Sequence, residues 1–286
     1  MTANEPRPAE GRPRILVGVD GSEDGLGAVR YAVAEAEVTG GDVWIVHALD
    51  PAAPVTGLWD MVADLAALTR AGEAAVAAAT AVVAESGLPQ DRVHSEVVTG
   101  RPGEVLGELS GKAQLLVLGR RSIRGLSRMF VGSTSVAAAS RAECPVVVVS
   151  AASTPHRTGG LGTVVVAINT WPVHESALEW GLREAKLRGA RLRVVHVVPQ
   201  TLGVEGADFV TAASTGLGEQ LAPFRDRHRE VTIEVEVLLG DTADALVEVS
   251  RSADLLILGE RHGRLVLGGP VRAVLAHAHC PVGLIR

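Results

Sequence analysis

The chain has 286 residues, enough for two ordinary domains, and 47% of them are hydrophobic. Aromatic residues make up only 3%, so the cores must be built from Ala, Val and Leu. A formal net charge of -6 argues against a general nucleic-acid or anionic-membrane binder, which needs a basic surface. No apolar run resembles a bilayer span, so no transmembrane helix is expected. The only two cysteines, Cys144 and Cys280, do not indicate a disulfide framework, and a cytoplasmic protein is expected.

Residues 1–11 are polar and Pro-rich, lack the apolar core of a signal peptide, and read as a tail. Arg14–Val19 is an unbroken apolar strand. Ser22–Thr39 has the apolar spacing of a helix, with Ser22 as N-cap. Asp42–Ala48 reads as a second strand. Ala66–Ser86 is an Ala-rich helix closed by Gly87 as C-cap. Val93–Val98 alternates as an edge-like strand, and Pro102–Ser110 begins with Pro in a first helical turn. Leu115–Leu118 is a buried strand, Ser133–Arg141 a helix and Val146–Val149 the last strand of a domain spanning 12–150. Near-continuous Val/Leu runs separated by helices imply a parallel sheet covered on both faces. Residues 151–160 read as a linker, and 161–286 repeat the pattern.

The second half is a duplication of the first. Gly18-Val19-Asp20 corresponds to Ala167-Ile168-Asn169, His47 to His196, Gly119 to Gly259, and Cys144-Pro145-Val146 to Cys280-Pro281-Val282. The order is kept while the spacing shrinks in blocks, as two deletions in the second half would leave. The matched cysteines suggest one buried structural role used twice.

Ligands of an open parallel sheet bind at the carboxyl ends of its strands. Gly18, Val19 and Asp20 close the first strand, Ala48 follows His47 on the second, and Gly119 ends the fourth. Asp20 has two readings: an acceptor for ribose hydroxyls or a metal, or a turn residue in Asp20-Gly21-Ser22. Gly119-Arg120-Arg121-Ser122, nine residues, then Gly132-Ser133-Thr134 is a Gly-rich passage from a strand into a helix, suited to phosphate. Gly119 would let the backbone approach a ligand. Ser133 and Thr134 serve equally as an N-cap or as phosphate ligands. Arg120, Arg121, Arg124 and Arg128 supply either counter-charge for a triphosphate or a solvated basic loop. In the second half Asn169 replaces Asp20, Glu260 replaces Arg120, Pro270 removes an N–H and the loop is shorter, so this site is read as degenerate, while Arg261, His262 and Arg264 keep positive charge there and leave weak binding open. His277, His279 and Cys280 are ligand-type residues, but positions two apart do not share a helix face, and metal ligands stay unknown. His47 and His196 read as a repeated structural hydrogen bond rather than as catalytic groups. No Gly-x4-Gly-Lys-Ser/Thr, His-Glu-x2-His or Gly-x-Ser-x-Gly run occurs, and no catalytic residue is assigned.

On Val17-Gly18-Val19-Asp20-Gly21-Ser22, the strand ending in His47, the Gly-x2-Gly-x9-Gly-Ser/Thr pattern and Cys-Pro-Val, the chain resembles tandem universal stress proteins. Ser122 stands where the family has its second glycine. The resemblance implies two flavodoxin-like or Rossmann-like α/β domains, each a five-stranded parallel sheet of order 3-2-1-4-5. It implies ATP, with or without Mg²⁺, as cofactor in the first domain. The adenine contact would fall on Ala48 through backbone, ribose contacts on Asp20 and Gly119, and phosphate contacts on Ser122, Gly132, Ser133 and Thr134. It further implies pairing of the two domains through their last strands and a homodimer. The expected role is regulation in a stress response, with at most slow hydrolysis; an ATPase or transferase, or a non-binding scaffold, are the alternatives.

Overall fold

The computed structural model describes residues 11–50, 58–120, 133–151, 153, 162–169, 173, 175–199, 207–259 and 268–286. These form two units, dividing between Ala151 and Ser153. In the first, β1 (Arg14–Gly18), α1 (Glu23–Thr39), β2 (Asp42–Leu49), α2 (Leu58–Ser86), β3 (Val93–Thr99), α3 (Pro102–Ser110), β4 (Leu115–Gly119), α4 (Ser133–Arg141) and β5 (Val146–Val149) follow in turn. Strand order is β3-β2-β1-β4-β5, and every pairing is parallel. The second unit repeats this with β6 (Thr163–Ile168), α5 (Glu175–Arg188), β7 (Arg191–Val198), α6 (Ala207–Arg227), β8 (Ile233–Leu239), α7 (Thr242–Val249), β9 (Leu255–Gly259), α8 (Gly269–His277) and β10 (Val282–Ile285). Its order is β8-β7-β6-β9-β10, again parallel. The expected order 3-2-1-4-5 is present in both units, with helices on both faces.

The cause lies in the strand sequences. Leu16, Val17, Ile45, Val46, Leu116, Val117 and Val147 are fully buried, as central strands covered on both faces require. Each such side chain contributes about 1.5–3 kcal/mol relative to exposure. Local signals set the helix ends. Ser22 caps α1 by accepting from the Gly25 N–H, and Gly40, at φ 71°, closes it in the left-handed conformation. Gly87, at φ 80°, follows α2 in the same way.

Three expectations change here. Within α2, Ala66–Ser86 has a hydropathy of 1.3 and is long and apolar enough, by length and composition alone, to cross a membrane. Alanine raises hydropathy without bulk. In the fold Ala75, Ala79 and Val83 recur at helical spacing, are buried, and the helix packs on β2 and β3. The helix also starts at Leu58 rather than Ala66. The cysteines differ in surroundings: both are free, Cys144 half-buried and Cys280 buried.

Desolvation pushes the Cys280 thiol from the ordinary 9.0 to about 12. The folded chain keeps this proton where the unfolded chain loses it. Its contribution to stability is therefore complete below pH 9 and is lost as pH climbs toward 12. At pH 8, iodoacetamide should alkylate native Cys280 about 100-fold more slowly than the urea-unfolded chain. Peptide mass spectrometry reads the rates, and equal rates would show that the thiol is not enclosed.

Candidate functional site

The carboxyl ends of β1, β2 and β4 surround a narrow cleft of about 70 Å³. β1 contributes Gly18 and the two residues after it, Val19 and Asp20. β2 contributes Val46, His47 and Ala48, and β4 contributes Leu118 and Gly119. Pro102 and Leu106 of α3, Gly25 of α1, and Thr134 and Ser135 of α4 complete the wall. The expected residues Gly18, Val19, Asp20, Ala48, Gly119 and Thr134 thus converge on one space.

The turn reading of Asp20 is seen directly. Its Oδ1 accepts from the Ser22 N–H at 3.0 Å and from Ser22 Oγ at 2.6 Å, which builds the turn into α1. Ser22 Oγ in turn accepts from Gly25 N at 3.1 Å. The carboxylate nonetheless stays exposed and lines the cleft.

The role expected of Gly119 is corrected. A Cβ there would lie 2.7 Å from the Asp24 carbonyl carbon and 2.8 Å from Gly25 N. The close approach that demands glycine is to the first turn of α1, not to a ligand. The Arg120 backbone N–H donates to Val149 O at 2.7 Å and is engaged in the sheet. Arg121, Ser122, Gly132, Arg124 and Arg128 lie outside the described residues, as does the side chain of Ser133, whose backbone opens α4.

Sequence reasoning missed Ser135. It is buried, and its Oγ donates to Gly119 O at 2.8 Å, tying the first turn of α4 to the end of β4. Its counterpart in the repeat, Val271, was the available signal. The histidines act as expected. His47 Nδ1–H donates to Val19 O at 2.9 Å, and His196 Nδ1–H to Ile168 O at 3.0 Å. A carbonyl can only accept, so each Nδ1 carries the proton. α2 crosses the His47 ring at Gly72, where a Cβ would lie 2.7 Å from Cδ2. Among the described residues no cluster of three His, Cys, Asp or Glu could hold a metal ion.

Two doubly wound domains with a small-ligand cleft at the strand ends define a tandem α/β protein of the flavodoxin-like class. The chain belongs to the universal stress protein family, whose family model matches residues 11–150 and again 160–286. A universal stress protein of Mycobacterium tuberculosis (strain H37Rv) is 30% identical over 299 residues, covering 99% of each chain. The crystal structure of a universal stress protein from Archaeoglobus fulgidus covers 95% of this chain and 97% of that one, at 16% identity and a TM-score of 0.69. A universal stress protein solved in complex with cAMP matches 49% of this chain and 97% of that one, at 26% identity and a TM-score of 0.35.

Proposed function

We propose that the first unit binds one adenine nucleotide, ATP with or without Mg²⁺, and that occupancy of this cleft is the signal the protein transmits in a stress response. The observation that carries this reading is the convergence of Asp20, the small residues Gly18 and Ala48, and the first turn of α4 on one cleft. The donor set fits the ligand. An exposed carboxylate suits ribose hydroxyls or a nucleotide-borne cation. Alanine at the end of β2 leaves room for a flat base beside the backbone. The N-terminal turn of a helix suits phosphate oxygens. The role is binding rather than turnover.

Titration calorimetry of the full chain with ATP, ADP, AMP and cyclic AMP tests this. One saturable site per chain is expected. Asp20→Asn preserves the turn, because the amide oxygen accepts the same Ser22 bonds, but removes the charge. It should weaken binding about 10- to 100-fold, the worth of a hydrogen bond to a charged acceptor. Tighter binding by this variant would place a phosphate, not a ribose, beside Asp20. Absence of saturable binding, or two equal sites, would overturn the proposal.

A further inference from the structure

The second unit carries a cleft at the equivalent strand ends, but its chemistry is different. The space is about 620 Å³, against about 70 Å³ in the first unit. Among its described lining residues there is no Asp, Glu, Lys or Arg. Residue by residue, polar groups of the first cleft have become apolar or neutral. Asn169 stands for Asp20, Pro270 for Thr134 and Val271 for Ser135, while Val197 stands for the already apolar Ala48. Pro270 also removes an N–H from the first turn of α8, where an anion would be received. The His196 Nδ1–H is engaged by Ile168 O. Phe209, 40% exposed on α6, adds an aromatic wall.

The larger volume has a cause in the helices. In the first unit α3 and α4 meet through glycine: a Cβ at Gly103 would lie 2.5 Å from Ala137 Cβ, and one at Gly107 2.6 Å from Arg141 Cβ. The equivalent residues of α7 are Ala243 and Val247. These residues lack the glycine that permits so close an approach, and α8 packs less closely on α7 than α4 does on α3. A decayed phosphate site would lose its donors at random. Here the donors are replaced by hydrocarbon and the space has grown.

We propose that the second unit is a binding site for an uncharged, mainly hydrocarbon small molecule, and not a weakened copy of the first cleft. A phosphate entering it would lose its hydration with no cation among the described lining residues to replace it. An apolar molecule gains by burying its surface against Leu246, Leu258, Val271 and Phe209. The inference stands whether or not the first unit binds nucleotide.

The test is fluorescence titration of the full chain with N-phenyl-1-naphthylamine, a neutral apolar probe. One saturable site is expected, and excess ATP should leave it occupied. Val271→Asp places a carboxylate in the cleft at the first turn of α8, a position where negative charge favours a helix. It should weaken probe binding at least about tenfold, while Val271→Leu stays within about threefold. Circular dichroism melting checks that both variants fold. Non-saturable binding, displacement by ATP, or unaltered affinity in folded Val271→Asp would each overturn the proposal.

Discussion

Gly119→Ala should destabilise the first unit by about 3 kcal/mol, the upper range of overpacking in a dense interior. The added methyl would meet the Asp24 carbonyl carbon at 2.7 Å, Gly25 N at 2.8 Å and Asp24 O at 2.9 Å. All three are backbone atoms, and none can rotate away. α1 cannot retreat freely, because Asp24 Oδ1 accepts from Ala151 N at 2.7 Å and Ser22 caps its first turn. The strain therefore falls on the junction of β4 and α1. Native-state hydrogen exchange read by peptide should show faster exchange in β1 and β4, with the second unit unchanged. Wild-type protection in the variant would refute the steric argument. There is a consequence for function. A glycine in a phosphate-type loop invites substitution as a test of ligand contact, yet here loss of binding would report a damaged scaffold. Asp20→Asn, which keeps its turn, is the cleaner probe of the cleft.

The division between what could and could not be read follows the range of the interactions. β5, α3 and α4 have the bounds expected from sequence because each is delimited locally: Pro102 opens α3, and Pro145 precedes a run of four valines. The expectation at Gly119 failed for the opposite reason. The need for glycine was legible, but its neighbour, Asp24, comes from a distant part of the chain. Ser135 was overlooked because its bond to Gly119 O forms only when α4 folds back on β4. The bilayer-length apolar stretch of α2 went unremarked, and its hydropathy does not decide its place, because burial of Ala75 and Ala79 depends on β2 and β3 rather than on composition.

The unequal clefts were legible only in part. Replacement of Asp20 by Asn169 and the entry of Pro270 into the loop are plain in the sequence and read as erosion. What converts erosion into a different site is volume, and volume depends on how closely two helices approach. Gly103 and Gly107 against Ala243 and Val247 carry that information, three-dimensional though its outcome is. An old duplication frees one copy from its ligand while the sheet still needs its core. Core valines and leucines then persist, and the mouth is the part that can change chemistry.

Arg188→Ala should cost the second unit about 3 kcal/mol, the penalty of leaving a buried charge without its partner. Glu184 of α5 is completely buried. Its Oε2 accepts from Arg188 Nη1 one helical turn away, while Arg183, half exposed, reaches its Oε1 at 3.1 Å. Arg188 also donates to the Glu184 carbonyl at 3.3 Å, so its loss frees a second acceptor at the end of α5. Removing the arginine leaves Glu184, among the described residues, with only the more exposed Arg183, which water competes for. If this account is right, the double variant Glu184→Met/Arg188→Met should recover most of the loss, since hydrocarbon of similar volume removes the desolvation penalty altogether. Urea unfolding of each variant, with exchange in α5 and β6 as the local readout, gives the coupling between the two sites. A single variant that costs under about 0.5 kcal/mol would assign the pair to the class of exposed ion pairs. A double variant no more stable than Arg188→Ala would mean that α5 depends on the hydrogen bonds of Arg188 and not on neutralisation of Glu184.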